Sequence, residues 1–475
     1  MQLIWFRNDL RTLDHTALWS ATQAGPCIAY VVISLEQWRL HDDAPVKIDF
    51  YLRQLQLLKQ KLNALNIPLI VQQIGRWKDI APALLKLTQE LNITTVHANI
   101  ELGSHELKRD AQVQQRLEKN NIRVEFYHDR SLFPVGSIRN KTDRPYQVFG
   151  AFKKYSYEQL IISLPGCYPE IEQQARLPQH PLFETAEIPI DAFYHTDQER
   201  IPNTQWPVGE DYALTRLDQF IEDQLADYET QRDLPNIEGT SQISPYLNIG
   251  ILSIRQCIQA LFREQQGYFH ISHASQQTWL DELLWREFYQ HVLFDFPRVS
   301  QHQPFKLNTQ QIAWRHAPED LVAWQQGRTG IPIVDAGMRQ LLATGWMHNR
   351  VRMITAMFLA KNLLIDWRLG EQWFMQHLID GDLAANNGGW QWCASTGTDA
   401  VPYFRIFNPI TQSTRFDPQG DYIRRWVPEL AQLDHKTIHD PYTKHPDLDL
   451  NYPRPIVDLK HSRARALQAF KTAGQ

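Results

Sequence analysis

Cysteine is scarce in this 475-residue chain: Cys27, Cys167, Cys257 and Cys393 stand far apart, with no CxxC pair and no Cys/His cluster. That spacing excludes a zinc ligand set, an iron–sulfur centre and a disulfide framework. It reads as free thiols packed as small apolar residues. Long hydrophobic runs are missing too, so no membrane span is expected. The N-terminus, MQLIWFRNDL, has no basic stretch leading into an apolar one; no signal peptide is expected, and the cytoplasm is the compartment implied. No GxGxxG follows the first strand-like run, which leaves a dinucleotide-binding Rossmann site unsupported. Nor is there a large excess of one charge. At a net −5 the molecule is not a polycation, so nucleic-acid binding has to be argued from particular arginines on a local surface. There is no internal repeat, low-complexity segment or coiled-coil signal, and a monomer is expected.

What is present reads as a soluble globular protein, with 43% hydrophobic and 21% charged residues. The length exceeds one ordinary core and predicts two or three domains. Over roughly the first 130 residues short β-rich runs, at Leu3–Phe6, Ile28–Ser34, Leu69–Gln73, Thr95–Asn99 and Val124–Tyr127, alternate with amphipathic stretches near 15–24, 45–66, 77–91 and 104–120. This pattern predicts an α/β domain over 1–130 built on a five-stranded, parallel, doubly wound sheet. From 131 to 207 prolines such as Pro134, Pro145, Pro165, Pro178 and Pro189 punctuate polar sequence, as in a long interdomain linker. A helical domain is expected over 208–475: the period is helical to about residue 435, with helices expected near 211–228, 253–265, 277–296, 318–326, 332–344, 346–363 and 371–378. The tail beyond is punctuated by Pro and His and ends in a short, charged, helix-compatible stretch. Of the 15 tryptophans, 11 follow residue 205. Indoles at that density suit stacking platforms or an electron path, although most buried tryptophans fill cores.

Four constellations in the second half carry chemistry. Asp380-Gly381-Asp382 through Asn386-Asn387-Gly388-Gly389-Trp390-Gln391-Trp392 places carboxylates, amides and indoles around a glycine pair. The pair is expected to interrupt any helix and admit a flat, polar-edged, redox-active ligand. At helical spacing Trp279, Glu282, Trp285 and Arg286 share one stripe, which suits a heterocyclic ligand or an ordinary surface ion pair. Trp346, Asn349, Arg350 and Met353 form another stripe, with Arg352 one turn on from Asn349. Two guanidinium groups, an amide and a thioether make a poor core face and a good grip on phosphate beside a flat ligand. Finally, Glu238-Gly239-Thr240-Ser241-Gln242-Ile243-Ser244 offers hydroxyl and backbone donors for a pyrophosphate, or an ordinary helix cap.

Together with WFRNDLRTLDHTAL at 5–18 and YFRIFNP at 403–409, these segments resemble the photolyase/cryptochrome flavoprotein family, and within it the bacterial class I cyclobutane pyrimidine dimer photolyases. The resemblance spans nearly the whole chain, with several long motifs in order. It implies an N-terminal α/β domain, a linker and a helical domain that holds FAD. The FAD pocket would comprise Tyr228, Thr240, Ser241, Gln242, Ile243, Ser244, Trp279, Arg286, Asn349, Arg352, Asp380, Asp382 and Asn386, with Asn386 beside the flavin N5. It implies light-driven electron donation from reduced FAD to a dimer flipped out of DNA. Trp285 and Trp392 would be the walls of the lesion pocket, Asn349 and Met353 its floor. Glu282 would donate to the base carbonyls, which takes its protonated form. Arg232, Arg350 and Arg405 would meet flanking phosphates. Trp390, Trp367 and Trp314 would form the electron-transfer chain that photoreduces the flavin.

The alternatives within that resemblance are a cryptochrome photoreceptor and a (6-4) photolyase. Asn386, the short stretch after the last motif, and Asn349 with Met353 where two histidines would mark (6-4) repair all favour dimer repair. For an antenna the resemblance implies 5,10-methenyltetrahydrofolate near His41, His105 and Glu106. His105 stands where an asparagine is usual, and Ser300-Gln301 where a Cys-Lys pair is. A deazaflavin or an empty cleft are the alternatives there.

Overall fold

The computed structural model describes residues 1–183 and 201–473. Part of the predicted linker, Pro189 included, lies outside these residues. The chain divides into two compact units, Met1–Ala226 with Ser241–Pro297, and Asp227–Thr240 with Arg298–Gln475.

In the first unit the five strands form as expected, each within one residue of its predicted ends: β1 Gln2–Phe6, β2 Cys27–Ile33, β3 Leu69–Gln73, β4 Thr95–Asn99 and β5 Arg123–Tyr127. All pairings are parallel, in the order β3-β2-β1-β4-β5. Runs such as LIWF and CIAYVVI are apolar at nearly every position because helices cover both faces of the sheet. The strand order reverses at β1, between β2 and β4, and this switch point is where open α/β sheets ordinarily bind ligands.

One of the elements not foreseen bears on the site. A helix over Phe149–Ile162 stands inside the stretch read as irregular linker. Pro145 and Pro165 flank this segment rather than enter it, so their rigidity bounds the helix without breaking it.

The second unit is helical around one core cluster that includes Trp324, Met338, Met357, Trp367, Phe374 and Trp390. A helix over Asn349–Met357 passes into a wider π-type turn at Phe358–Leu363, so the expected continuous helix over 346–363 is shorter and changes pitch. The expected break at Gly388-Gly389 is absent: a single helix runs over Leu383–Ala394, straight through both glycines. A helical glycine costs only about 1 kcal/mol relative to alanine. Here Asp382 caps the helix by accepting from the Ala385 N–H at 2.9 Å, and buried Trp390, Cys393 and Ala394 hold its far end. Among the described residues no helix is long and apolar enough to cross a membrane.

Candidate functional site

In the second unit the side chains converge on the Leu383–Ala394 helix. Asp380 is buried and receives both oxygens' worth of contact from Arg352 Nη2, at 2.9 and 3.1 Å. Arg352 Nε donates to the Met347 carbonyl at 2.7 Å, which fixes the fork. Asn386 Nδ2 donates to the Glu371 carbonyl at 3.0 Å. The neighbouring Asn387 donates to Glu371 Oε1 at 2.8 Å and accepts from Gln391 at 2.8 Å. Glu371 is thus the hub that orients both amides, a role no local motif signals.

Asn349 and Met353 lie one turn apart on the Asn349–Met357 helix. His348 caps that helix, its Nδ1 accepting from the Arg350 N–H at 3.2 Å. Burial lowers the His348 pKa to about 4, so the imidazole is neutral at physiological pH and keeps its acceptor. Arg350 gives its own fork to Asp233, at 2.7 and 3.2 Å, with its guanidinium 4.5 Å over the Phe416 ring. Asp233, 117 residues away in sequence, was not singled out. Arg232 lies 5.4 Å over the Tyr228 ring, Thr240 is half-buried, and Arg405 is exposed.

The three predicted relay tryptophans meet one core cluster, Trp367 and Trp390 within it and Trp314 packed against its margin. Trp390 makes ring contacts with Phe374 at 4.9 Å and Trp324 at 6.0 Å. Trp314 meets Phe470 at 6.0 Å. Trp324 is fully buried against a proposed relay residue and was missed, because its surrounding sequence carries no matching motif. Trp392 is half-buried against the same cluster.

In the first unit the loop Ser241-Gln242-Ile243-Ser244 is held by Arg216, which donates to the Ser241 carbonyl at 2.9 Å and to Gln242 Oε1 at 2.8 Å. Gln242 has φ of 48°, a left-handed conformation uncommon for a residue with a Cβ and common at functional loops. On the Ala274–Asp295 helix Trp279 is buried, 5.2 Å from the Phe220 ring. Glu282, Trp285 and Arg286 are half-buried, and Arg286 donates to the Arg130 carbonyl at 2.9 Å. Trp285 stacks on Phe149 at 3.7 Å.

The switch-point crevice of the sheet is closed. The guanidinium groups of Arg7 and Arg109 lie over the Trp5 ring at 4.6 and 4.8 Å. Arg7 pairs with Asp110 at 2.9 Å, and Arg109 with Glu101 at 2.8 Å. Burial alone would raise Glu101, but the charges of Arg109 and Arg7 overcome it and hold the carboxyl at about 2. The remaining cavity of about 20 Å³ has room for a water molecule and not for a cofactor. A larger groove of about 380 Å³ lies on the surface of the same unit, lined by Leu40, His41, Trp77, His105 and the basic Arg76, Lys78 and Lys108. His41 Nε2 is 3.3 Å from Glu106 Oε1, and its ring lies 5.8 Å from Trp77 and 6.2 Å from His105. The three predicted antenna residues therefore come together, joined by Trp77.

The DNA photolyase family matches residues 2–170, and the FAD binding domain of DNA photolyase matches residues 279–472. The chain is 44% identical to a deoxyribodipyrimidine photo-lyase of Vibrio cholerae, covering 100% of both chains. It is 40% identical to that of Escherichia coli, covering 99% of this chain and 98% of the relative. The fold is similar to the crystal structure of a bacterial class III photolyase from Agrobacterium tumefaciens, with a TM-score of 0.86 and 33% identity over 100% of this chain and 97% of the other. Motif order, sheet topology and full-length likeness agree: the chain belongs to the DNA photolyase family, and its helical second half carries that family's FAD-binding domain.

Proposed function

We propose that this protein repairs cyclobutane pyrimidine dimers in DNA, using light and reduced FAD. The observation that carries the reading is the twelve-residue helix Leu383–Ala394 with its cap. Asp382 stands at the cap, Asn386 one turn in, and Trp390 and Trp392 beyond, so one element delivers a cofactor edge, a flavin-facing amide, an electron relay and a lesion wall.

The donor set fits FAD. Arg352 and Asp380 form a fixed, buried polar edge for a heterocycle, and the hydroxyls and backbone of 240–244 suit a pyrophosphate. Asn386 has its amide nitrogen on Glu371, so Oδ1 is the atom turned to a partner. That acceptor matches the N5–H of a reduced flavin and puts no negative charge beside an anionic ring. Bound in its reduced form, FAD supplies the light-driven electron, which returns after the two C–C bonds of the cyclobutane break, so no net redox change remains. Trp285 in the first unit and Trp392 in the second each offer an indole face on which an extruded base can stack, and Glu282 offers a carboxyl to a base carbonyl. Arg232, Arg350 and Arg405 meet phosphates, Arg350 by exchanging the Asp233 carboxylate for a phosphate oxygen.

The surface groove beside His41 is read as the antenna site. Trp77, His41 and His105 offer faces to a flat pteridine, and Arg76, Lys78 and Lys108 offer charge to an acidic tail, which supports methenyltetrahydrofolate over a pigment at the filled switch point. The protein acts as a monomer in the bacterial cytosol.

The test is repair under blue light of an oligonucleotide bearing one thymine dimer, by reduced protein, with a dark control. Light-dependent recovery of the thymines is expected. Survival of the dimer with flavin bound and reduced would overturn the reading in favour of a photoreceptor or a (6-4) enzyme.

A further inference from the structure

Trp285 is held by its neighbours far more closely than a side chain on a pocket wall needs to be. On one face its ring lies parallel to Phe149, with centroids 3.7 Å apart and planes 13° from coincidence. That is the separation of two stacked rings in van der Waals contact. Its own helix fences the edges: Phe288 approaches at 5.8 Å and 78°, and Tyr289 at 5.6 Å and 33°. Rotation of the indole about its side-chain torsions would drive it into one of the three.

Phe149 is itself secured. It is buried at the first turn of the Phe149–Ile162 helix. Asp281, one turn before Trp285, accepts from Lys153 Nζ at 3.0 Å and from the Tyr157 hydroxyl at 2.8 Å. Lys153 and Tyr157 follow Phe149 by four and eight residues, so they lie one and two turns along the same face. Phe152 packs on Phe288 at 5.3 Å and on His291 at 5.4 Å. The two helices are thereby fastened at both ends of the stack and cannot slide past one another without breaking a half-buried ion pair or opening an aromatic contact.

We propose that Phe149 is a positioning residue for lesion binding. It blocks one face of Trp285 and fixes the ring plane, so that a flipped pyrimidine meets one rigid, ready-oriented face. This rests on the reading of Trp285 as a wall of the lesion pocket. The physical gain is preorganisation: an indole already in its bound rotamer loses no side-chain freedom when a base stacks on it. Part of the helix-to-helix packing in the first unit thus serves recognition.

The test is a double-mutant cycle on the full, flavin-loaded protein, titrated with a single-stranded oligonucleotide carrying one thymine dimer and with the undamaged strand. Phe149→Ala is expected to weaken dimer binding by roughly three- to tenfold, the size of a lost aromatic stack. Undamaged-strand binding and flavin content should be unchanged. Phe149→Tyr, which keeps the ring, should restore wild-type affinity, and Phe149→Leu, which keeps bulk without a flat face, should restore it only in part. In a Trp285→Ala background, Phe149→Ala should add nothing further. An undiminished loss in that background, or an equal loss on undamaged DNA, would overturn the proposal and leave Phe149 an ordinary packing residue. Should the wild-type protein itself show no preference for the dimer strand, the lesion-pocket reading fails instead, and the two failures are told apart.

Discussion

Arg352 closes on both oxygens of Asp380 from a single nitrogen, while its Nε is anchored to the Met347 carbonyl. The pair is rigid before any ligand arrives. Asp380→Asn should keep the shape and lose the charge, giving protein that folds but purifies with a clearly lower flavin-to-protein absorbance ratio. Arg352→Ala leaves a buried carboxylate without its fork, and should cost about 2 kcal/mol after allowing for the partial exposure of Arg352. Arg352→Lys should recover only part of this, because an ammonium cannot reproduce the anchored fork. Full flavin content in Asp380→Asn would show that the pair is structural only.

Gly370 exists where it does because of Trp390. A Cβ at position 370 would lie 2.1 Å from Trp390 Cη2 and 2.6 Å from Leu359 Cδ2. Gly370→Ala should therefore push the indole aside, destabilise the fold by about 1–3 kcal/mol, and slow light-driven reduction of oxidised flavin. Trp390→Phe should abolish that photoreduction while chemically reduced protein still repairs dimers. Transient absorption and a repair assay read the two steps separately; photoreduction at the wild-type rate in Trp390→Phe would remove Trp390 from the relay.

Lys361 is fully buried, donating to Ser395 Oγ at 2.7 Å and to the Tyr403 carbonyl at 3.0 Å. Burial lowers its pKa from 10.5 to about 7. The unfolded chain therefore binds a proton that the folded chain does not over the interval from about pH 7 to about pH 10.5, and stability from this group rises with pH across that window. Below it both states are charged, and the fold carries the full cost of a buried ammonium. Lys361→Met should remove the slope. Thermal unfolding at pH 7 and pH 9 checks it: the wild type should gain relative to the variant on going to pH 9, and parallel behaviour would contradict the burial argument.

The groove at His41 makes its own prediction. Trp77→Ala and His41→Ala should each reduce the near-ultraviolet absorption that exceeds the flavin's own, leaving repair unchanged when light is absorbed by the flavin directly. An unaltered spectrum in Trp77→Ala would exclude this groove as the pigment site.

How much of this was legible beforehand depends on the range of the interaction. The strands and most helices showed in the sequence because hydrophobic period is a local property. The helix at Phe149–Ile162 did not, since prolines on either side masked it and its buried side is mostly aromatic contact with a helix more than a hundred residues later. The continuity of the Leu383–Ala394 helix was hidden for the converse reason: Gly388-Gly389 argues locally for a break, and the Asp382 cap with distant packing overrides it. The candidate site residues are named from long motifs. Asp233, Arg216, Glu371 and Trp324, which hold those residues in place, touch them across gaps in sequence that no motif encodes.

The filled switch point changes what the α/β unit can become. With Arg7, Arg109, Glu101 and Asp110 locked around Trp5, its sheet no longer needs an occupant to be complete. A light-gathering molecule in the outer groove, as proposed, would be an accessory to a finished scaffold. On the proposed reading, substitutions confined to the groove would change which pigment is held while leaving the charged cluster beneath untouched.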